Sequence, residues 1–291
     1  MKPKKLLALA FEGLLPRLKK VGVTKEQIAQ LTADIWKPKV LEKMDLWSRQ
    51  YVTRGHIWGD EPSRCATHLA ENLPPASRIM ELGSGYGRDG KFLVDHGFNY
   101  EGIDNAEVAV WETMQQVAKS INYNGNAKVS FGDIVKTSFT PKYFDAVTAN
   151  RVLHLPDPEE LAVILNRVSA SLNSEGRIVF TLRRPEDFDE NEMVRPDPDN
   201  VYLAEYGSGE RKGERLYFYD KKNLEPLLSR YFTELSFQEA EEPDALDKMD
   251  KEGHLRMTKL IMVTGRKKTD LERENGNGSG SGNGQITPDP E

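Results

Sequence analysis

The sequence predicts an α/β fold, a doubly wound and mostly parallel sheet with helices on both faces, and three observations point there. Arg78-Ile79-Met80-Glu81-Leu82-Gly83-Ser84-Gly85-Tyr86-Gly87-Arg88-Asp89 reads as a short apolar strand ending in an acid, a tight glycine turn and the start of a helix. From Arg78 to about residue 182 strand and helix patterns alternate, the rhythm of parallel strands joined by crossover helices. Near the end, 232–239 and 257–265 read as an antiparallel hairpin that closes the sheet.

Taken in order, residues 1–52 read as a helical N-terminal cap. Leu7, Phe11, Leu14 and Leu18 form a stripe that Pro16 should interrupt, and Thr24-Lys25-Glu26-Gln27 has the capping-box pattern ahead of Ile28, Leu31 and Ile35. A third helix is expected after Pro38, with Val40, Met44, Trp47 and Tyr51 on one side. Strands are expected near 78–82, 99–103, 127–131, 144–149 and 176–182, and helices near 88–96, 106–121 and 158–172. Residues 184–213, rich in Pro, Asp, Glu and Gly, are too long for an ordinary connection and read as a lid or substrate-binding insertion. A helix near 221–230 precedes the hairpin. The main domain is therefore expected over 53–268, and the Gly/Ser/Asn-rich stretch 269–291 reads as a disordered tail.

Composition narrows the function. A hydrophobic fraction of 38% with 30% charged residues suits a soluble globular chain, and no apolar run approaches a membrane span of ~20 residues. The apolar stretch after Lys5 is broken by Glu12, so it is read as mature sequence and the expected location is cytoplasmic. The single cysteine, Cys65, leaves no internal disulfide and no cysteine-rich metal site; no metal is expected. A net charge of −6 argues against nonspecific nucleic-acid binding.

Two frames compete for the glycine turn. Gly85-Tyr86-Gly87-Arg88-Asp89-Gly90 fits the dinucleotide fingerprint G-x-G-x-x-G, but there the strand should run straight into the first glycine. Here Gly83-Ser84 intervene, and the frame acid-Leu-Gly-x-Gly-x-Gly fits without adjustment. Asp104, at the end of the next strand about 20 residues on, stands where a ribose-binding carboxylate is expected.

With Asp104-Asn105, Gly132-Asp133-Ile134 after a third strand, Tyr143-Phe144-Asp145-Ala146-Val147 opening a fourth, and Lys259–Lys267 as a closing strand, residues 54–267 strongly resemble the class I S-adenosylmethionine-dependent methyltransferases. The resemblance implies a Rossmann-like, seven-stranded sheet with an antiparallel last strand, and S-adenosyl-L-methionine as cofactor. It implies that Asp104 and Asn105 hold the ribose, that Asp133 takes the adenine amine with Ile134 on the ring, and that Gly83, Ser84 and Gly85 carry the amino-acid portion above Glu81. Asn150, at the end of the fourth strand, joins that set. Trp58-Gly59-Asp60-Glu61-Pro62-Ser63 is similar to the lead-in of bacterial small-molecule methyltransferases of the tellurite-resistance and thiopurine type. There Trp58 would shield the methionine portion and Arg54 pair with its carboxylate; the alternative is a core Trp58 and a surface Arg54.

Methyl transfer needs alignment more than a base. His154 and Tyr51 are nevertheless the candidate catalytic groups, with His154 open to a purely structural reading. Arg151, Arg183, Tyr202 and Tyr206 are the candidate acceptor-binding residues; Arg183 admits either an acceptor role or an ion pair in the loop. Asn150 is not followed by Pro-Pro-aromatic, the pattern of enzymes that methylate nucleic-acid bases. The expected acceptor is a small molecule. A peptide acceptor and a nonenzymatic cofactor-binding protein are the alternatives, and the sequence leaves the oligomeric state open.

Overall fold

The computed structural model describes residues 44–209, 211–243, 257–269 and 272, so the helices expected before Met44 and the tail beyond Glu272 lie outside the described residues. Seven strands form one sheet: β1 (Arg78–Leu82), β2 (Asn99–Asp104), β3 (Ala127–Phe131), β4 (Phe144–Asn150), β5 (Leu172–Arg183), β9 (Phe232–Pro243) and β10 (Met257–Lys267), in the order β3-β2-β1-β4-β5-β10-β9. β1 pairs in parallel with both β2 and β4, whereas β10 is antiparallel to β5 and β9. The chain walks outward from β1 to β3, then returns to β4 on the other side. That reversal opens a crevice at the carboxyl ends of β1 and β4, where ligands bind in this architecture.

Helices cover both faces. α2 (Arg64–Asn72), α3 (Arg88–Asp95) and α4 (Glu107–Val117) lie on one, contributing Cys65, Leu69, Leu93, Val94 and Val117 to a core with Phe98 and Tyr100. α5 (Pro158–Ser171) and α6 (Lys221–Leu228) bury Leu161, Ile164, Leu165, Val168, Leu224 and Leu228 against the other. Local chemistry starts these helices where the chain requires. Asp157 and Glu160 form a capping box with Pro158 in the first turn, and Asp220 with Asn223 forms another. α4 stops at Val117, short of the expected residue 121. Beyond it the Ser120 hydroxyl and the Ile121 N–H both donate to Asp95, at 2.6 and 2.9 Å, which pulls the chain off the helix axis.

Two regions depart from the expected outline. α1 (Leu46–Arg54) begins within the segment expected as an N-terminal cap and runs past its expected end at residue 52; it is started by Asp45, whose side chain accepts from the Ser48 N–H. The segment after Arg183 is more than a loop. It forms a separate three-stranded antiparallel sheet, β6 (Met193–Val194), β7 (Leu203–Tyr206) and β8 (Arg215–Tyr217), with its own core of Met193, Ala204, Tyr206, Leu216 and Phe218. β8 runs past the expected end at residue 213, because Leu203 pairs with Tyr217 and Phe218 belongs to this small core. No described helix is long and apolar enough to cross a membrane.

Candidate active site

The crevice at the sheet's switch point is a cavity of about 330 Å³. Its floor is the turn after β1. Gly83, Gly85 and Gly87 have φ of +72°, +56° and +85°, the left-handed region that favours glycine. At Gly83 a Cβ would lie 2.3 Å from Val152 Cγ2, and at Gly87 one would lie 2.6 Å from the Thr113 backbone. α4 fixes the turn through the Thr113 hydroxyl, which donates to the Gly85 carbonyl at 2.8 Å.

Beneath the turn, Glu81 is 3% exposed and accepts from the Tyr100 hydroxyl at 2.5 Å. Tyr100 reaches it between Gly90 and Gly102, where a Cβ would come within 2.7 and 2.5 Å of the phenol. Burial, then the neighbouring Asp89 carboxylate, pushes the Glu81 carboxyl well up from its ordinary value. Asp89 in turn accepts the Ser63 N–H at 2.7 Å and the Ser63 hydroxyl at 2.5 Å. Arg88 donates to the Trp58 carbonyl at 2.9 Å, tying the lead-in segment to the turn.

Asp104 ends β2 beside the glycines and is 8% exposed. Its two carboxylate oxygens accept the Gly85 N–H at 2.9 Å and the Ala106 N–H at 2.8 Å. Burial raises it to about 6, against the lowering effect of those backbone donors. Asp133 follows β3 and accepts from Val135 N–H at 2.9 Å, with Lys136 Nζ at 3.0 Å. Its partial burial would raise it, but Lys136 and the Val135 N–H outweigh that and leave it lowered. Each oxygen of an ionised carboxylate has two acceptor directions, so both acids retain capacity for ligand donors.

The opposite wall is aromatic. Trp47 and Trp58 line the cavity with ring centroids 5.7 Å apart, and Tyr51 lies 6.2 Å from Trp47 and 6.5 Å from Trp58. Tyr86, also lining the cavity, donates to the Gly59 carbonyl at 2.7 Å and stacks on His56 at 4.5 Å. The Tyr51 oxygen is 3.3 Å from where a Gly85 Cβ would stand. Burial, then Asp104, raises the Tyr51 phenol well above its ordinary value, so it stays protonated.

A family model described as a methyltransferase domain matches residues 79–176, from β1 into β5. Residues 79–176 thus carry a methyltransferase domain. By structure it is similar to 1,6-didemethyltoxoflavin-N1-methyltransferase from Burkholderia thailandensis, at TM-score 0.54 and 19% identity over 76% of this chain and 84% of that one. It is also similar to TehB from Haemophilus influenzae, at 0.52 and 16% over 76% and 67%. The N-methyltransferase NodS from Bradyrhizobium japonicum WM9 compares at 0.51 and 14%, over 77% of this chain and 100% of that one. At these identities the likeness is one of fold. No curated protein matches the chain by sequence.

Of the methyltransferase residues singled out from sequence, the crevice brings together Tyr51, Trp58, Glu81, Gly83, Ser84, Gly85, Asp104, Asn105, Asp133, Ile134, Asn150 and Arg151. The others lie elsewhere. Arg54 is exposed at the end of α1. His154 is 5% exposed, does not line the cavity, and has a buried Nδ1 with no hydrogen-bond partner among the described residues. Burial, then Arg183, Arg151 and Arg211, pushes it well below its ordinary value, so it is a neutral imidazole and a weak base. Arg183 is 3% exposed and pairs with Asp187 at 2.6 Å, which is the ion-pair reading of this residue. Tyr206 is buried in the inserted sheet, its hydroxyl accepting from Arg183 at 2.9 Å and Arg211 at 2.7 Å. Tyr202 points to Asp220 instead, at 3.0 Å. The sequence reading did not select Trp47, Tyr86, Arg88, Asp89, Val152, Leu155 or Pro156 as site residues, all of which line the crevice. Tyr86 stood inside the glycine motif and Trp47 on the same helix face as Tyr51, so both carried a usable signal.

Proposed function

We propose that this chain transfers a methyl group from S-adenosylmethionine to a small-molecule acceptor held against the Trp47–Trp58 wall. One observation carries the reading: the glycine turn and the strand-end acids Asp104 and Asp133 share a single cavity with that wall. The residues fit the cofactor's donors. Asp104 has acceptor capacity for a ribose diol, with Asn105 beside it, and Asp133 with Ile134 suits an adenine edge and face. Gly83, Ser84 and Gly85 let the backbone approach an amino-acid portion closely. When bound, the sulfonium supplies an already activated methyl group. The protein aligns the acceptor and excludes water, for which the aromatic closure by α1 and the lead-in segment is suited. A peptide acceptor would need an open groove, whereas Trp47, Tyr51 and Trp58 wall this end of the crevice.

Thermal shift tests the cofactor half: S-adenosylhomocysteine should raise the melting temperature and nicotinamide dinucleotides should not. Mass spectrometry of a source-organism lysate supplied with S-adenosylmethionine tests the rest. A small metabolite should gain one methyl group only when the protein is added. A gain confined to peptides would overturn the acceptor assignment.

A further inference from the structure

Resting on that reading, we infer that the Tyr51 hydroxyl and the Trp58 indole N–H are the hydrogen-bond donors that hold the carboxylate of the cofactor's amino-acid portion. Arg54, the partner expected from sequence, is exposed at the end of α1. Three features of the crevice assign the role to the aromatic wall instead.

The first is where the Tyr51 hydroxyl stands. Tyr51 and Gly85 both line the crevice, and a Cβ on Gly85 would meet the tip of Tyr51, with Oη at 3.3 Å and Cζ at 3.9 Å. The phenol thus ends beside the turn read as the seat of the amino-acid portion, in space that glycine leaves open. Its neighbours fix it there. The ring meets Tyr86 edge-on at 5.8 Å and Trp58 edge-on at 6.5 Å, and Tyr51 shares a core with Val108 and Ala109 of α4.

The second is unmet hydrogen-bonding capacity. The Tyr51 hydroxyl makes no hydrogen bond to any described residue, and burial, then the Asp104 carboxylate, keeps it protonated and therefore a donor. On the same wall the Trp58 Nε1–H is buried with no hydrogen-bond partner among the described residues. Buried donors left unpaired are costly and rare in folded proteins, so two on one wall of a ligand crevice call for an acceptor from the ligand.

The third is the difference between the two ends of the amino-acid portion. An ammonium only donates and would find two more donors here, whereas a carboxylate only accepts. The arginines that line the crevice are engaged within the fold. Arg88 donates to the Trp58 and Glu61 carbonyls at 2.9 and 3.2 Å and lies 3.8 Å from Asp89, and Arg151 donates to the Thr258 hydroxyl at 2.7 Å and the Pro243 carbonyl at 3.2 Å. Neutral donors hold a carboxylate without an excess of positive charge in a crevice that several acids share, and the ligand's charge makes each such bond stronger than one between neutral groups. Tyr51 then serves as a donor to the cofactor, in place of the catalytic role suggested by the sequence.

The test is calorimetric titration of the full chain with two ligands, S-adenosylhomocysteine and its decarboxylated analogue, which keeps the amine. Wild type should bind the first about tenfold or more tighter than the second. Tyr51→Phe keeps the ring and loses the hydroxyl; it should weaken S-adenosylhomocysteine about tenfold and leave the analogue within about twofold of wild type. Trp58→Phe removes the indole N–H and should show the same selectivity. A loss falling equally on both ligands would mean that these side chains act through packing or reach another part of the ligand, and would overturn the inference. So would Tyr51→Phe binding S-adenosylhomocysteine as wild type does, or a selective loss found only in Arg54→Gln. Tight and equal binding of both ligands by wild type would overturn the carboxylate assignment alone, whereas failure of both to bind would overturn the proposed function beneath it.

Discussion

Replacing Asp104 with Asn keeps the shape of the side chain and changes its chemistry in two separable ways. Both carboxylate oxygens accept backbone N–H groups, from Gly85 and Ala106. An amide oxygen can satisfy one of them; the other N–H then faces an NH₂ group, a loss of about 1–3 kcal/mol. Against that, the wild-type protein carries a buried carboxyl raised from 3.8 to about 6. At about 1.4 kcal/mol per decade this is roughly 3 kcal/mol. Its folded value lies above its unfolded one, so the native state binds the extra proton between about pH 4 and 6. Wild-type stability therefore falls as pH rises through that window, and the full penalty applies above it. The neutral amide of Asp104→Asn carries no such penalty. The variant should be less stable than wild type at pH 4.5, and the gap should close by about 2 kcal/mol on going to pH 7.5. Urea unfolding at the two pH values measures this. Cofactor binding should move the other way, because a diol donates to the ionised carboxylate. Calorimetry at pH 7.5 should find S-adenosylhomocysteine weakened about tenfold or more by Asp104→Asn, since each charge-assisted hydrogen bond contributes about 1.5–3 kcal/mol. Wild-type affinity should also fall as pH drops below about 6, a dependence that Asp104→Asn removes. An unchanged dissociation constant would refute the ribose assignment, and a stability gap independent of pH would refute the buried-carboxylate argument.

Four further substitutions test other parts of the structure. Gly83→Ala meets both a left-handed φ of +72° and Val152 at 2.3 Å, whereas Gly125→Ala meets a φ of +90° and open space. Chemical denaturation should show a loss of about 2–4 kcal/mol for the first and about 1 for the second, and equal losses would remove the steric term. Tyr100→Phe takes from Glu81 its donor at 2.5 Å. It should destabilise by about 1–3 kcal/mol, with the loss growing as pH rises, because the hydroxyl favours the ionised carboxylate. Asp187→Ala leaves Arg183 buried without the carboxylate that lies 2.6 Å away. A loss of about 3–5 kcal/mol is expected by thermal unfolding, and a loss under about 1 would show that the pair is not a buried one.

The glycine-turn end of the crevice was legible because its residues are local. Glu81 through Gly87 is one continuous turn, and Asp104 stands at the end of the next strand, so spacing alone placed both. The acceptor end was not. Arg183 and Tyr206 looked like ligands for an acceptor because a polar insertion read as a loop. The insertion instead folds its own sheet, whose core buries Tyr206, and Asp187 neutralises Arg183 inside it. The burial of Tyr206 depends on how β6, β7 and β8 pair, which no periodicity in Pro- and Asp-rich sequence records, whereas the Arg183–Asp187 pair spans four residues and was one of the two readings open from sequence. His154 lies outside the crevice, and its surroundings were equally hidden from the sequence. Its neighbours in sequence are apolar, but its electrostatic neighbours are Arg183, Arg151 and Arg211, two of them distant in the chain.

Arg151 is the residue where these two ends meet. It follows β4 directly and has a φ of +59°, a conformation that costs a side-chain-bearing residue about 1–3 kcal/mol. The surrounding fold holds it there. Its N–H donates to the Thr181 hydroxyl at 3.0 Å, and that hydroxyl donates to Asn150 at 2.6 Å, fixing the strand end. Its guanidinium donates to the Thr258 hydroxyl at 2.7 Å and lies over Trp58. A single residue therefore links β4, β5, β10 and the lead-in segment. Gly83, where a Cβ would collide with Val152 on the same turn, lets this loop approach the glycine turn closely. The backbone strain at Arg151 therefore sits at the rim of the crevice, between a guanidinium lying over Trp58 and a neighbour, Val152, that abuts Gly83.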